Sequence, residues 1–529
     1  MKIRYLQFND FHGLNHIELT FPDINASSSM ILLGDNGCGK TTIFEVIMLI
    51  FGSLEMPSLM DDYFEFKCIY QYSQKEILFE SKNQKYHMRV RNEEQRIDFE
   101  SGPSDLPVLR KRISNRNVDV IPQRIVSFYS GYNDRLYDIY KKLNANYKSG
   151  IKASLNHYLK LQFNPQDEDR TVGFKFFHKR FIHCSNELSP LYLAAIWSEQ
   201  TSLEYKILQK YCHINQLESI LIEMNTKDVQ LNIFHLEPDR IKEKTLHWVR
   251  AILEFIDSEI SELVMPEYAD DKIIINITNI GMLPKNKVSV FNFLEKLQSL
   301  YSAAIQVFFE KNNMILCCEN LSEGEQQMLK NIGMLGVAKE ADCFVMLDEP
   351  DSHMNPKWKY DLKQVVDEIL NDAINTQAII ATHDPLVVNG IAPEFVRILK
   401  RDGERITVQE PEVSTTGKGI DGILQSPYYG MRTTLDKETY EKTERKRKLL
   451  IKYQKREITQ EELSELIELR DEINRLDYTR NIPMDRYYAD YLAAVDRYCD
   501  EHTPNILTKE QSEKQKKKLS SIIDKLLKE

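Results

Sequence analysis

A glycine-rich segment constrains the fold of this chain more than any other feature. The segment matches the pattern G-x-x-x-x-G-K-[ST]. Its residues are Gly34, Asp35, Asn36, Gly37, Cys38, Gly39, Lys40 and Thr41. The apolar stretch 30–33 before it predicts a buried strand, and the apolar periodicity of 42–51 predicts a helix. A strand, a glycine-rich turn and a helix in this order predict an α/β fold with a phosphate-binding loop.

The residues of the loop also predict its ligand. Glycines let backbone N–H groups close around phosphate oxygens, and a helix N-terminus adds partial positive charge. Lys40 is expected to neutralise the outer phosphates, and the hydroxyl of Thr41 is expected to bind Mg²⁺. Thr42, the next residue, completes the predicted phosphate site. We therefore expect this chain to bind the phosphates of a nucleotide together with Mg²⁺.

A second half of the site is predicted roughly 300 residues downstream. There an apolar strand, 343–347, ends in Asp348 and Glu349. Asp348 is expected to hold Mg²⁺, directly or through water. Glu349 is expected to act as general base on the attacking water. The alternative is a strand that merely ends in two solvated acids.

Two more segments contribute candidate residues. The buried-type strand 378–382 ends in His383, which either contacts the γ-phosphate or has a structural role. Before the Asp-Glu strand, Ser322 is expected to cap a helix, and Glu325 completes a capping box with it. That helix start is either a capping box alone or also an anion-binding N-terminus.

Together these segments resemble the ATP-binding-cassette (ABC) superfamily of P-loop ATPases. Residues 322–326 resemble its signature motif, with Glu323 at a position where glycine is usual. The resemblance implies that Ser322, Gly324 and Glu325 bind the γ-phosphate held by the phosphate loop of a second copy. Function would then require a head-to-tail dimer with two ATP molecules sandwiched between the chains.

Three features favour the branch of chromosome-maintenance and RecF-like ATPases over transporters. Residues 2–14 resemble the opening strands of that branch, with His12 where many members carry a basic residue near the adenine. The loop spelling Asp-Asn-Gly-Cys-Gly-Lys-Thr is close to the branch pattern. Roughly 280 residues separate the loop from the signature, more than a transporter cassette needs.

No metal-binding Glu and D-x-D pattern follows His383, and no His-Asn-His motif is found, so we expect no nuclease site in this chain.

Residues 121–133 and 420–436 narrow the resemblance to the PtuA-type ATPases of Septu anti-phage defence, which also occur beside some retrons. That family implies a partner HNH nuclease of the PtuB type. In retron versions it also implies a reverse transcriptase with its DNA–RNA hybrid, so nucleic acid would be met through the complex. Two alternatives remain: a RecF-type DNA-repair ATPase, and a scaffold that binds ATP without hydrolysing it.

The predicted organisation places an insertion between two halves of the ATPase sheet. The halves are 1–145 and 301–412, the insertion 146–300 is mainly helical, and 413–529 is a helical region for partners or oligomers. Within the insertion, 191–224 is expected to be mostly helical and 272–277 to be a strand. In the last region Thr459 is expected to open a helix through a capping box. Basic runs at 442–455 and 514–518 are solvated helix faces or, as a second interpretation, patches for a partner or nucleic acid.

Composition sets limits on location and partners. Acidic residues outnumber basic ones 80 to 69, giving a net charge of −11, so net charge alone cannot bind DNA. The eight cysteines form no C-x-x-C pair, which fits a reducing compartment. No apolar run approaches the ~18 residues of a membrane span, and no leader peptide is apparent. We therefore expect a cytoplasmic protein without a membrane partner.

Overall fold

The computed structural model describes residues 1–476, except 23–28, 132–133, 164–178, 226–237, 270, 372, 374, 404 and 456. The chain divides into two compact units, Met1–Gly430 and Met431–Glu529. No helix of the described residues is long and apolar enough to cross a membrane.

Strands account for three separate sheets in the first unit. In chain order and within the described residues they are β1 (Lys2–Asn9), β2 (Ile17–Thr20), β3 (Ser29–Gly34), β4 (Glu65–Tyr72), β5 (Lys75–Lys82), β6 (Lys85–Arg91), β7 (Ile97–Ser104), β8 (Arg124–Tyr129), β9 (Phe181–Cys184), β10 (Gln216–Asn225), β11 (Pro266–Ala269), β12 (Lys272–Ile277), β13 (Ala304–Lys311), β14 (Met314–Cys317), β15 (Cys343–Asp348), β16 (Gln377–Thr382), β17 (Val396–Asp402) and β18 (Arg405–Gln409).

Helices connect and cover these strands. In chain order and within the described residues they are α1 (Lys40–Glu55), α2 (Leu106–Asn115), α3 (Arg135–Phe163), α4 (Ser189–Ser198), α5 (Leu203–Cys212), α6 (Pro238–Ile256), α7 (Ser258–Leu263), α8 (Lys287–Tyr301), α9 (Glu323–Ala338), α10 (Pro356–Leu370), α11 (Ile420–Leu424), α12 (Lys437–Lys455) and α13 (Gln460–Arg475).

The central sheet has seven strands in the order β18-β17-β3-β16-β15-β8-β9. All neighbours are parallel except β18, which pairs antiparallel with β17 at one edge. Strands β3, β15 and β16 are buried along their whole length, as expected of parallel strands covered on both faces. Since β3, β16 and β15 are neighbours, the loops that follow them meet at one edge of the sheet. The α/β fold with an ABC-type sheet is thereby confirmed.

Two hydrophobic cores lie on opposite faces of the central sheet. Met30 and Leu32 of β3 pack into the core that contains α1 and the six-stranded antiparallel sheet β2-β1-β4-β5-β6-β7. Ile31 and Leu33, the alternate residues, pack into the core that contains α4, α8 and α9. Successive side chains of a strand point to opposite faces, so one apolar run supplies both cores. The phosphate loop is thus fixed from two sides.

The segment 146–300 contains more helix than strand, and its strands contribute to two sheets. β9 is the edge strand of the central sheet, while β10, β11 and β12 join β13 and β14 in a five-stranded antiparallel sheet. The predicted strand 272–277 is β12. The stretch 191–224, predicted to be mostly helical, holds α4 and α5 but ends in strand β10, so the prediction is wrong for its last part.

The second unit is described through α13. Its helices α12 and α13 pack as a pair, and Thr459 caps α13 in the predicted capping box with Glu462. Basic residues of α12 pair with glutamates of α13, for example Arg445 with both carboxylate oxygens of Glu465 at 2.8 and 2.7 Å. Part of the basic run 442–455 therefore faces α13, and its interpretation as a solvated face or as a patch for a partner or nucleic acid stays a prediction. The run 514–518 lies outside the described residues.

Candidate nucleotide-binding site

The loop between β3 and α1 requires glycine at two positions for steric reasons. Gly39 caps α1 with φ of 94°, a left-handed conformation that favours glycine. A Cβ at Gly34 would lie 2.5 Å from Sγ of Cys38 and 2.7 Å from the carbonyl oxygen of Leu399. The backbone can therefore make its sharp turn only with these residues. Such a turn exposes N–H groups at the start of α1, which is the geometry that binds phosphate.

Other residues of the loop are fixed by their surroundings. Asp35, Asn36 and Gly37 are exposed at its tip, whereas Cys38 and Thr42 are buried. Arg401 of β17 donates a 2.8 Å hydrogen bond to the carbonyl oxygen of Gly37. Burial raises the pKa of the Cys38 thiol, so the side chain fills space as a neutral group. The exposed tip leaves the loop open to a ligand.

Lys40 is held in the centre of the loop. Its Nζ donates to the carbonyl oxygens of Gly34 at 2.7 Å and Asp35 at 3.3 Å. It also lies 4.0 Å from a carboxylate oxygen of Glu349. The ammonium group of Lys40 is therefore positioned between the phosphate loop and the acidic end of β15. A cation at this point can interact with the outer phosphates of a nucleotide.

The residues predicted to bind Mg²⁺ are in contact. Oγ1 of Thr41 donates to Oδ2 of Asp348 at 2.6 Å. Asp348 is 1% exposed, and among the described residues its other oxygen, Oδ1, has no hydrogen-bond partner. Burial raises the pKa of Asp348 to about 7. A divalent cation would offset this cost and use the free oxygen, so the two residues fit an Mg²⁺ ion.

Glu349 has an unusual backbone conformation that neighbouring strands hold in place. Its φ is 51°, in the left-handed region. Its N–H donates to the carbonyl oxygen of Ala381 at 2.8 Å, and its carbonyl oxygen accepts a 2.8 Å hydrogen bond from Oγ of Ser130. A non-glycine residue in this region is strained by roughly 1–3 kcal/mol, and such strain is concentrated at functional sites. The turn separates the side chain of Glu349 from that of Asp348.

The side chains of Glu349 and His383 form a pair. Oε1 of Glu349 lies 3.1 Å from Nδ1 of His383. This hydrogen bond is the main reason why the pKa of Glu349 is lowered and that of His383 is raised. The two residues come from the ends of β15 and β16, which are neighbours in the sheet. Thus the structure brings together Lys40, Thr41, Asp348, Glu349 and His383 at one edge of the sheet.

Ser130 and Arg135 make contacts near the site that the sequence analysis did not predict. Ser130 follows β8 and binds the backbone of Glu349, as described above. Arg135, at the start of α3, lies 3.4 Å from the buried carboxylate of Glu45 in α1. Glu45 is also 3.5 Å from His12, whose ring stacks on Phe11. These contacts connect residues far apart in sequence, and no local pattern marks them.

The predicted signature segment forms a complete capping box at the start of α9. Oγ of Ser322 accepts from the N–H of Glu325, and Oε2 of Glu325 accepts from the N–H of Ser322 at 3.1 Å. A Cβ at Gly324 would lie 3.0 Å from the carbonyl oxygen of His353, so the first turn packs closely on the loop after β15. Among the described residues, Ser322 and Glu325 make no hydrogen bond to the phosphate loop of the same chain.

Helix α9 is nevertheless connected to the acidic end of β15. The side-chain amides of Gln327 and Asn331 both donate to the carbonyl oxygen of Pro350, at 3.1 and 3.0 Å. Pro350 follows Glu349 directly. A displacement of α9 would therefore act on the backbone next to Glu349.

The topology and the site define the class of protein: a P-loop ATPase fold of the ABC type. Residues 232–389 match a family model described as "AAA domain, putative AbiEii toxin, Type IV TA system". The chain is 29% identical over 140 residues to the Septu protein PtuA of Bacillus mycoides (strain KBAB4), covering 25% of this chain and 19% of that protein. It is 27% identical over 125 residues to the "Retron Vc95 probable ATPase" of Vibrio cholerae serotype O1 biovar El Tor, covering 22% and 24%.

Among solved structures, the SMC head domain from Thermotoga maritima is 12% identical, with a TM-score of 0.32, covering 78% of this chain and 100% of that chain. A TM-score this low carries no argument about the fold, which is defined by the strand order of the central sheet. The chain spans 19% and 24% of the length of the two curated relatives. These relatives confirm the predicted resemblance: the chain is related to the PtuA-type ATPases of Septu and retron systems.

Proposed function

We propose that this chain is the ATP-binding and hydrolysing component of an anti-phage defence complex of the Septu or retron type. The observation that carries the proposal is the meeting of Lys40, Thr41, Asp348, Glu349 and His383 at one sheet edge. The relatives with Septu and retron names support the biological setting.

Each residue has a role that follows from its position. The loop N–H groups and Lys40 would bind the phosphates of ATP, and Thr41 and Asp348 would hold an Mg²⁺ ion, which would supply positive charge to the phosphates. Glu349 accepts a proton from the attacking water, because its pKa is lowered and it is ionised at neutral pH. His383 orients the carboxylate of Glu349 through their hydrogen bond and would contact the γ-phosphate.

Two copies of the chain are proposed to complete the site. The N-terminus of α9 is capped by its own side chains, and its first turn remains exposed at Glu323. Helix N-termini attract anions, so Ser322, Gly324 and Glu325 would meet the γ-phosphate on a second copy. Gln327 and Asn331 hydrogen-bond to the carbonyl oxygen of Pro350, the residue after Glu349. A shift of α9 on dimer closure would therefore move the backbone beside Glu349.

The chemistry on nucleic acid is assigned to other chains. We propose a PtuB-like HNH nuclease as partner, and in a retron setting a reverse transcriptase with its DNA–RNA hybrid. Purification of the tagged chain together with the products of its neighbouring genes tests this assignment. Isolation of the chain alone, from cells in which an HNH protein is made from the next gene, would contradict it. A RecF-type clamp would instead bind DNA without a nuclease.

Glu349→Gln tests the hydrolytic role. The amide keeps the shape of the side chain but cannot accept the proton, so ATP turnover should fall roughly 10²–10⁴-fold while ATP binding is retained. Phosphate release is measured with ATP in excess, and nucleotide binding is measured separately. The matched control is Glu93→Gln, an exposed glutamate in the turn between β6 and β7, which should leave turnover unchanged. Equal turnover in both variants would favour the non-hydrolysing scaffold.

A further inference from the structure

A large polar cleft lies beside the proposed ATP site. Its volume is about 1070 Å³, which is at the upper end of the range for small-molecule sites. Its walls come from α3, from β9 and the residues after it, from the end of α8, and from the first turns of α9. The cleft is therefore large enough for a nucleotide and lies on the structural connection between α9 and the sheet.

One face of α3 supplies an aromatic surface to the cleft. Tyr137 and Tyr140 lie three residues apart, with ring centroids 6.0 Å from each other and each 5.7 Å from the ring of His183. Tyr140 and His183 are buried, whereas Tyr137 is 42% exposed. His183 is hydrogen-bonded to Ser127 at 3.0 Å and is uncharged at neutral pH, since burial lowers its pKa to about 4. The exposed ring of Tyr137 is thus a rigidly supported stacking surface.

The same face of α3 carries a lysine that forms no ion pair with the described residues. Lys148 is half-buried and makes no ion pair or hydrogen bond within the described part of the chain. Burial, followed by repulsion from Lys179, lowers the pKa of Lys148. Lys179 itself is paired with the buried Glu295 at 2.6 Å. Glu295 and Glu187 attract the charge of Lys148 without forming an ion pair with it among the described residues, so an anionic ligand in direct contact would stabilise it further.

A polar atom lies between the ring and the cation. Asn144 is four residues from both Tyr140 and Lys148, so the three share one helix face. The Oδ1 atom of Asn144 is buried and has no hydrogen-bond partner among the described residues. Asn144 also lines the cleft. A ligand that donates a hydrogen bond, such as an exocyclic amine or a ribose hydroxyl, would satisfy this oxygen.

The mixed charge of the cleft disfavours a long polyanion. Acidic residues line it together with the lysines: Asp134, Glu187, Glu319 and Glu323. A polynucleotide would bring a row of phosphates against these carboxylates, whereas a single phosphate can contact Lys148 alone. The combination of one stacking ring, one hydrogen-bond acceptor and a half-buried lysine matches a nucleoside monophosphate.

We propose that this cleft is a second nucleotide site, which binds a nucleoside monophosphate with its base on Tyr137, a donor group on Asn144 and its phosphate on Lys148. Two lining residues connect it to the ATP site. Ser130 donates to the carbonyl oxygen of Glu349, and Gln327 donates to that of Pro350. An occupant would therefore modulate hydrolysis. This modulation rests on the proposed function, whereas the binding does not.

The test uses the full chain with Lys40→Ala, which removes nucleotide binding at the phosphate loop. Titration calorimetry with AMP should show one site per chain. Adding Lys148→Ala should weaken AMP binding at least tenfold, and Tyr137→Ala several-fold, while Tyr137→Phe retains the stacking and the affinity. The matched control is Lys142→Ala, on another face of the same helix, where the lysine pairs with Asp61 at 3.9 Å. This control should bind AMP as before.

Several outcomes would overturn the proposal. These are no AMP binding to Lys40→Ala at millimolar concentration, equal weakening by Lys148→Ala and Lys142→Ala, or Lys148-dependent binding of oligothymidylate with none of AMP. The last result would show that the cleft binds a nucleic-acid strand rather than a free nucleotide. AMP binding to Lys40→Ala without any ATP hydrolysis by the wild-type chain would refute the proposed function and leave the second site intact.

Discussion

At the scale of single residues, we expect Lys40 to be the most sensitive position for the proposed ATP binding. Its ammonium group is buried between two loop carbonyls and lies 4.0 Å from Glu349. We expect Lys40→Ala to lose ATP binding at the phosphate loop, because no other cation of the loop replaces the charge. Retention of labelled ATP on the purified variant measures this.

The fold should tolerate this change, because alanine is a good helix former at the first position of α1. The thermal unfolding midpoint of Lys40→Ala is therefore compared with that of the wild type. A variant that unfolds at the same temperature and still holds ATP as tightly as the wild type would refute the assignment of the phosphate loop.

A second residue-scale prediction concerns acid stability and His183. Its folded-state pKa is about 4, below the unfolded value of about 6.5. Between these two pH values the unfolded chain binds more protons, so the free energy of unfolding falls as the pH is lowered from 6.5 toward 4. His183 should contribute a loss of about 1 kcal/mol between about pH 7.5 and about pH 5.5.

His183→Gln should remove this part of the pH dependence, since glutamine stays uncharged and can still hydrogen-bond to Ser127. Urea unfolding of both proteins at the two pH values measures the difference. His213→Asn, a change at an exposed histidine with a left-handed backbone, serves as control and should keep the wild-type dependence. An unchanged slope for His183→Gln would show that His183 is not buried in the neutral form.

The residues of the candidate site could be predicted from the sequence because each lies at the end of a buried strand or in the loop and helix start that follow one. Asp348 ends β15, His383 follows β16, and Lys40 begins α1 after the loop that follows β3, and parallel strands bring such ends together. Ser130 and Arg135 could not be found in this way. Their partners lie 219 and 90 residues away, and a serine or arginine after a strand is common for many other reasons.

At the scale of elements, the strands of the central sheet were easier to predict than those of the insertion. β15 and β16 are continuous apolar runs, which is the pattern of parallel strands. β10 was assigned to a helical stretch because its alternation is broken by a bulge between Leu217 and Ser219. β11 and β14 have four residues each, too short for a periodicity to be recognised.

Gly333→Ala tests the packing of α9 against α4. A Cβ at Gly333 would lie 2.4 Å from Cβ and 2.7 Å from Cγ of Tyr192, whose ring is stacked on Phe291 and cannot move away. Overpacking costs roughly 1–3 kcal/mol or more, against about 1 kcal/mol that alanine gains over glycine in a helix. We expect a lower midpoint of thermal unfolding.

The control for this prediction is Gly422→Ala in the exposed helix α11. A Cβ there would meet only Cβ of Lys418, at 3.6 Å, which is an ordinary contact. The midpoint of this variant should be equal to that of the wild type or slightly higher. A Gly333→Ala protein as stable as Gly422→Ala would mean that α4 and α9 are packed less closely than described.

At the scale of the whole molecule, the central sheet combines strands from distant parts of the chain, and β9 of the segment 146–300 is one of them. β3 and β8 come from the first predicted ATPase half, while β15, β16, β17 and β18 come from the second. The sequence could indicate this because each half carries part of one site. The five-stranded sheet could not be predicted in the same way, since no functional motif links β10 to β13 and the pairing spans most of the insertion.

The last prediction concerns the dimer proposed to enclose ATP. Ser322→Arg places a bulky cation where the γ-phosphate of the opposite copy would lie. The change also removes a cap worth about 1 kcal/mol, too little to unfold a chain of this size. We expect the variant to fold and to bind ATP through its own phosphate loop but to hydrolyse it poorly. Thermal unfolding, ATP binding and phosphate release are measured on the same preparation.

Mixing Ser322→Arg with Lys40→Ala subunits distinguishes a composite site from a site within one chain. In a two-fold dimer of one copy of each, one site receives both changes and the other receives neither, because each site takes its loop from one chain and its capping box from the other. The mixture should therefore regain part of the ATPase activity that each variant lacks alone. If Ser322→Arg hydrolyses ATP normally by itself, or if the mixture stays inactive although mixed dimers form, residues 322–325 are only the start of a helix.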